Sequence, residues 1–243
     1  MKNKILIIGE SCRDIFVYCD AKRLAPDVPI PVLNIINQVE NGGMAKNVQR
    51  NIENYISCDI VTNYNWHDVT KTRYVHDKSN HMFFRVDSND KIDRIDISNL
   101  SYDYDIIVIA DYNKGFLHED DIEFICKNHS NVFIDTKKIL GKWAENAKYI
   151  KINDFEYNNS KDKLTDILRS KIIHTMGGDG CRFNNKQYKV NKVEVKDTSG
   201  AGDSFMSGLV IEYLKTGDIE KSIAFANKCA SEVVKHRGVS IIN

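Results

Sequence analysis

The chain has 243 residues, 42% of them hydrophobic, which is enough for one sizeable domain; three prolines are too few for a Pro-rich linker protein. Lys+Arg and Asp+Glu number 34 each, so no net field draws the chain to nucleic acid or to an anionic membrane. Small molecules and protein surfaces remain as partners. The start, MKNKILIIGE, has an apolar run of only Ile5 to Ile8 before Glu10, too short for a signal peptide, and no segment has the length of a membrane span. Cys12, Cys19, Cys58, Cys126, Cys181 and Cys229 are scattered, without a C-x-x-C pair, so reduced thiols in a cytoplasmic protein are expected. The N-x-S sequons at Asn99 and Asn158 are then chance.

Residues 3–8 (NKILII) form an apolar run of strand length closed by Gly9, which suits a buried parallel strand. Residues 28–36 (VPIPVLNII) read as extended. Pro29 and Pro31 exclude both a helix and a central strand there, which leaves an edge or projecting sheet. Residues 44–55 carry helical spacing. Residues 70–76 and 81–87 are strand candidates joined through the turn-forming residues His76 to Asn80; in the second, Met82, Phe84 and Val86 share one face. From residue 105, apolar strands at 105–110, 131–134, 148–152 and 171–175 alternate with helical stretches near 118–128 and 161–169. That is the rhythm of a parallel α/β sheet. Short strands near 181–190 and helices at about 202–215 and 218–236 complete the pattern. The expected architecture is α/β: a mostly parallel central sheet flanked by helices, one domain over 1–243. A small β-lid is expected from roughly 12–37 and 70–88.

The segment DTSGAGDSF, Asp197 to Phe205, carries the chemistry. Gly200 and Gly202 let the backbone turn tightly against a ligand, and the amides of Gly200, Ala201 and Gly202 point outward at a helix N-terminus, where the dipole favours an anion. Asp203, in the first turn, would repel a phosphate there unless its carboxylate has a task beside it. Taking the proton of a hydroxyl that attacks a γ-phosphate is such a task. The alternative is a Gly-rich turn with Asp203 as a stabilising first-turn acid.

This segment resembles the D-T-x-G-A-G-D-x-F signature of the ribokinase/phosphofructokinase-B carbohydrate kinase family, in its usual place toward the C-terminus. The resemblance implies a ribokinase-like fold, ATP and Mg²⁺ as cofactors, Asp203 as catalytic base, and Gly200, Ala201 and Gly202 as the anion hole. GGMAKN, Gly42 to Asn47, is similar to the family's G-G-x-x-x-N, which implies that Gly42, Gly43 and Asn47 touch the sugar; alone it reads as a helix-opening turn. Asp14 matches the family's sugar-binding Asp and would otherwise pass as a loop acid. Asn153 and Glu156 in INDFE resemble N-x-x-E, which implies that they organise Mg²⁺ and its waters. The same pair is a good helix cap, and both readings can hold together. Thr175, Gly178 and Gly180 fall in a segment that resembles the nucleotide loop. Asn227 falls where the family's helix lines the adenine pocket, with an exposed helical Asn as the alternative. No G-x-x-x-x-G-K-[ST] and no G-x-G-x-x-G occurs, which argues against P-loop ATPases and Rossmann dehydrogenases.

Four segments, residues 22–33, 70–87, 110–117 and 133–138, look like those of D-glycero-beta-D-manno-heptose-7-phosphate kinases. These act in lipopolysaccharide heptose synthesis on the anomeric hydroxyl of a sugar 7-phosphate. Lys71, Arg73, Arg85 and Lys114 are expected to hold the substrate's own phosphate, or else to form a solvated lid face. The expected activity is ATP-dependent phosphorylation of a sugar or sugar phosphate by a homodimer joined through the lid, with no nucleic-acid or membrane partner. A same-fold kinase for fructose phosphate or a nucleoside, and a non-catalytic sugar- or nucleotide-binding protein, are the alternatives. Three departures stand out: a strand–helix unit expected to be missing between Asn51 and Thr70, no last helix after Gly238, and Glu10 where this branch usually has Asp.

Overall fold

A computed structural model of the chain describes residues 4–88 and 91–242. In chain order its strands are β1 (Ile5–Gly9), β2 (Ser11–Asp20), β3 (Asn34–Met44), β4 (Cys58–Val61), β5 (Thr70–His76), β6 (Met82–Ser88), β7 (Ile106–Asp111), β8 (Val132–Thr136), β9 (Tyr149–Asn153), β10 (Ile172–Thr175), β11 (Cys181–Phe183) and β12 (Lys186–Tyr188). The helices are α1 (Ala45–Glu53), α2 (Glu119–Asn128), α3 (Asp154–Ser160), α4 (Asp166–Arg169), α5 (Ala201–Thr216) and α6 (Ile219–Val233). Asn3, read as the start of the first strand, lies outside the described residues.

Eight strands form one mixed sheet in the order β12-β11-β10-β9-β8-β7-β1-β4, parallel from β4 to β10 and antiparallel at the β11–β12 edge. The continuous apolar runs follow from burial on both faces. Leu6, Ile8, Ile107, Ile109, Ile134 and Ile150 point into one core with α2. Their neighbours Ile5, Ile7, Ile106, Val108 and Phe133 point into the other, against α1, α5 and α6. Helices α5 and α6 pack so closely that a Cβ on Gly208 would lie 2.9 Å from Cys229 Sγ and 3.1 Å from the Ala226 backbone. Asp111, Thr136, Asn153 and Thr175 are the last residues of β7, β8, β9 and β10. They line up at the carboxyl edge of the sheet, where open α/β sheets bind ligands.

A second sheet, β3-β2-β5-β6, rises from that edge, because β2 follows β1 after Glu10 alone. Its own small core is Ile15, Val17 and Cys19 with Leu33, Tyr74 and Phe83 packed against them. Outside that core the sheet keeps apolar side chains in solvent: Ile35 is 66% exposed, and Met82, Phe84 and Val86 are each about half exposed.

Several local expectations change. The extended reading of 28–36 covers two different things. Pro29 and Pro31 precede the ladder, with one bridge between Leu24 and Pro31, and edge strand β3 starts only at Asn34. The helix expected at 161–169 is displaced, because the cap at Asn153 starts α3 directly from β9. Residues 161–163 are a 3-10 turn, and α4 is one short turn capped by Thr165. The interval between Asn51 and Thr70 is not without a strand: β4 pairs in parallel with β1 from Ile5–Cys58 to Ile8–Val61. Its short CDIV run, interrupted by Asp59, gave too weak a signal. No helix follows β4 there among the described residues, only turns at 64–68. Past α6 the chain also turns without a further helix among the described residues, and Ile242 N donates to Asn51 Oδ1 at 2.9 Å. Among the described residues no helix is long and apolar enough to cross a membrane.

Candidate active site

Helix α5 opens on Gly200, whose φ of 78° lies in the left-handed region that glycine adopts without strain. A Cβ there would also stand 2.9 Å from Asn47 Nδ2, so the turn needs glycine on two counts. Asp203, one turn in, is only 7% exposed. Asn47 Nδ2 donates to its Oδ2 at 2.7 Å, and the Tyr112 hydroxyl donates to its Oδ1 at 2.7 Å. Three elements far apart in sequence thus meet on one carboxylate.

Each donor is held in turn. Asn47 sits on α1, which β3 enters through Met44 at φ 61° and ψ −128°, a backbone conformation that is costly for a residue with a side chain. The strain is held by the packing of Met44 in the core and by Ala45 N donating to Glu10 O at 2.9 Å. Tyr112 follows β7, and its N–H donates to Glu10 Oε2 at 2.7 Å while Lys114 N donates to Oε1 at 2.9 Å. Glu10 is fully buried, and burial, reinforced by the nearby Asp111, pushes its carboxyl above the usual carboxylate range. The larger Glu in place of Asp therefore acts as the clamp on the loop that presents Tyr112.

Burial also pushes the Asp203 carboxyl up. The hydrogen bonds from Asn47 and Tyr112 and the charge of Lys151 pull the other way, Asp135 adds to the rise, and the net direction is upward. The Tyr112 phenol is raised far above its ordinary value by burial and then by Asp203 and Asp135, so it stays a donor.

Two cavities meet here. The larger, about 780 Å³, has a polar floor of Asp135, Lys137, Lys151, Asn153 and the Gly200–Ala201–Gly202 turn, and an apolar wall that includes Val190, Val193, Val195, Phe205 and Val234. Thr175, Gly178, Gly180 and Asn227 line it as well. Asn227 is 7% exposed and donates to Tyr188 O at 3.1 Å, which removes the exposed-helix alternative. The smaller cavity, about 320 Å³, is lined by Asp14, Gly43, Asn47, Lys71, Arg73, Arg85, Asp87 and Lys114. Tyr112, Gly200 and Asp203 line both, so the carboxylate stands in the shared wall.

Two expected site residues stand back from the cavities. Gly42 packs against Lys46 and is on neither wall. Glu156 is buried behind Asn153 in a reciprocal cap: Glu156 N donates to Asn153 Oδ1 at 3.0 Å, and Asn153 N donates to Glu156 Oε2 at 2.8 Å. Its other oxygen takes an ion pair from Lys137. The basic residues of the smaller cavity are engaged too. Arg73 pairs with Asp14, while Arg85 Nε and Lys71 Nζ reach Asp87 at 2.7 and 3.3 Å.

Sequence reasoning did not single out Tyr112, Asp135, Lys137 or Lys151. Tyr112, Asp135 and Lys137 lie at or just past the carboxyl ends of β7 and β8, and that position was the available signal. Lys151 had another: a lysine inside a strand buried on both faces is out of place unless paired.

Residues 119–243 match the family model of pfkB family carbohydrate kinases. Among curated proteins, the bifunctional protein HldE of Helicobacter pylori strain G27 is 25% identical over 300 aligned positions, covering 98% of this chain and 64% of its own length. HldE of Hydrogenovibrio crunogenus is 24% identical, covering 100% and 61%. This chain thus spans less than two thirds of these relatives, and the H. pylori alignment is longer than the 243-residue chain itself. Among solved structures, ribokinase from Thermotoga maritima superposes with TM-score 0.72 at 18% identity (98% and 95% of the two chains). The Methanocaldococcus jannaschii nucleoside kinase gives 0.70 at 16% (98% and 93%), and phosphofructokinase-2 from Escherichia coli 0.72 at 12% (100% and 96%). At such identities the shared property is the ribokinase-like α/β fold.

The raised Asp203 carboxyl has a consequence for stability. A group whose folded pKa exceeds its unfolded value contributes stability below the unfolded pKa and loses it as pH rises through the folded one. At pH 7 the ionised Asp203 therefore costs stability. Asp203→Asn should raise Tm at pH 7, by about 2–4 °C for each kcal/mol recovered, and the gain should shrink as pH falls through the carboxylate range. Melting curves of both proteins between pH 4 and pH 8, each an approximate bound set by the titration range of carboxylates, check this. An equal Tm throughout would mean that Asn47 and Tyr112 fully offset the burial.

Proposed function

Because the chain belongs to the pfkB family of carbohydrate kinases, we propose that it transfers the γ-phosphoryl group of ATP to a sugar hydroxyl, with Asp203 as the general base. The observation that carries this reading is the position of Asp203 in the wall shared by the two cavities. A nucleotide in the larger cavity and an acceptor in the smaller one would meet at that carboxylate. As the acceptor oxygen attacks phosphorus, its proton passes to Asp203, and the burial-raised carboxyl is a stronger base than a solvated one. The Gly200, Ala201 and Gly202 amides and the α5 dipole receive the phosphoryl oxygens. Asn47 both orients Asp203 and keeps its own Oδ1 buried without a protein partner, a vacant acceptor for a sugar hydroxyl. Asp14, Gly43, Arg85 and Lys114 would complete the acceptor site.

The larger cavity fits a nucleoside triphosphate. Its volume is that of a small-molecule site, its apolar wall suits a base, and its polar floor suits phosphates. Thr175, Gly178, Gly180 and Asn227 would border the nucleoside. The floor also fits a hydrated Mg²⁺: Asn153 is on the wall, and Asp135 Oδ1 is a buried hard oxygen without a hydrogen-bond partner. Glu156 would act one step behind, through Asn153 and Lys137. When bound, the cation neutralises charge on the phosphate oxygens.

For the acceptor, the segments that resemble heptose-7-phosphate kinases support a heptose 7-phosphate, giving the 1,7-bisphosphate. Lys71, Arg73, Arg85 and Lys114 exceed Asp14, Asp87 and Asp203 on the cavity wall by one charge, so an anionic acceptor gains there if Arg85 turns from Asp87. The second sheet would be the lid of one domain over 1–243; it follows the expected 70–88 segment but, through β3, reaches Met44 rather than stopping near residue 37. Its half-exposed Met82, Phe84 and Val86 support a homodimer joined lid to lid.

An ATP-consumption assay over sugars and sugar phosphates tests the activity. Turnover should be much faster on the sugar 7-phosphate than on the free heptose, by roughly one to two decades in kcat/KM, the value of one charged hydrogen bond. Arg85→Ala should erase that preference. Equal rates on both sugars would point to a fructose phosphate or nucleoside acceptor, and no turnover on any acceptor to a binding protein. For the assembly, light scattering at micromolar concentration should give a dimer that Phe84→Asp dissociates; a wild-type monomer contradicts it.

A further inference from the structure

A buried ammonium group stands at the N-terminus of α5, where a helix dipole disfavours a cation. Lys151 lies on β9 opposite Asp135 of β8, so the sheet register itself brings the two side chains together. Lys151 is 3% exposed, and its Nζ donates to Asp135 Oδ2 at 2.7 Å. The same Nζ would lie 2.9 Å from a Cβ on Gly202. The ammonium therefore rests against the glycine turn, and any side chain at 202 would push it away. One carboxylate uses one of its three donors. Two positive ends, the helix and the lysine, thus face one cavity floor together. Asp135, with Asp203 close by, offsets their charge while the cavity is empty, and an anion lying between the two positive ends would gain from both.

Resting on the phosphotransferase reading, we propose that Lys151 is a further catalytic residue, donating to the oxygens of the phosphoryl group in flight. The bond from phosphorus to the β–γ bridging oxygen breaks and the bond to the acceptor oxygen forms. The acceptor's proton goes to Asp203, and Lys151 keeps all of its protons. Asp135 holds the ammonium in place through Oδ2. Lys137 is less suited to this role, because Glu156 already pairs with it and its side chain is 36% exposed. A drier cation acts on a transferring charge with less screening.

Removing Lys151 alone would leave Asp135 buried without its counter-ion, a change that often prevents folding. The comparison is therefore between Asp135→Asn, which keeps the lysine and an acceptor for it, and Asp135→Asn/Lys151→Met. Calorimetry with ADP and with the β,γ-imido analogue of ATP, both with Mg²⁺, reads the contact to the terminal phosphoryl group without turnover. Adding Lys151→Met should weaken the triphosphate analogue by about 10- to 100-fold, the value of a charged hydrogen bond. ADP should change less than about threefold, because the contact is to the γ-phosphoryl group alone. Equal losses for both nucleotides, or no loss for either, would overturn the role of Lys151 and leave the phosphotransferase reading standing. A wild-type protein that binds neither nucleotide would overturn both.

Discussion

One interaction organises the site: a nearly buried carboxylate at a helix N-terminus, held on one oxygen by an amide and on the other by a phenol. Burial raises the energy of the ionised form, and the two hydrogen bonds lower it enough for the group to be held in one place. The result is an oriented base with little water around it. Everything that positions it is long-range. Asn47 comes from α1, Tyr112 from just past the end of β7, and Asp203 from α5, so the site exists only when α1 and α5 are packed together on one face of the large sheet beside the end of β7.

That dependence carries a cost that the fold absorbs elsewhere. Met44 is strained, Glu10 is buried as a carboxylate clamp, and Lys151 faces the positive end of a helix. Asp111 is fully buried and is offset by Lys138 at 2.8 Å and by the Thr136 hydroxyl. Each is destabilising in isolation, and all lie along the carboxyl edge of the sheet. The apolar layers behind them, with β1, β7 and β8 buried on both faces, supply the stability that keeps the polar edge in place.

Much of this was legible in the sequence because it is local. Continuous apolar runs located β1, β7, β8, β9 and β10, and the glycine turn before Asp203 located the start of α5. The cap at Asn153 and Glu156 was equally readable from spacing, although the helix it opens was misplaced because the stretch near 161–169 looked more helical than it is. What was not legible depends on register. Nothing local marks Tyr112 as a partner of Asp203, 91 residues away. The pairing of Lys151 with Asp135 follows from the alignment of β8 with β9, which no single strand encodes. Strand β4 was missed for a related reason: it is short, and its place beside β1 is fixed by a tertiary partner.

The most direct test is the steady-state rate of Asp203→Asn on the best acceptor, with nucleotide binding measured in parallel. If Asp203 takes the acceptor's proton, kcat should fall by at least about 10²-fold while the affinity for ATP is nearly unchanged and the protein remains folded. A variant that folds, binds ATP and retains most of its turnover would contradict the assignment of Asp203 as the base.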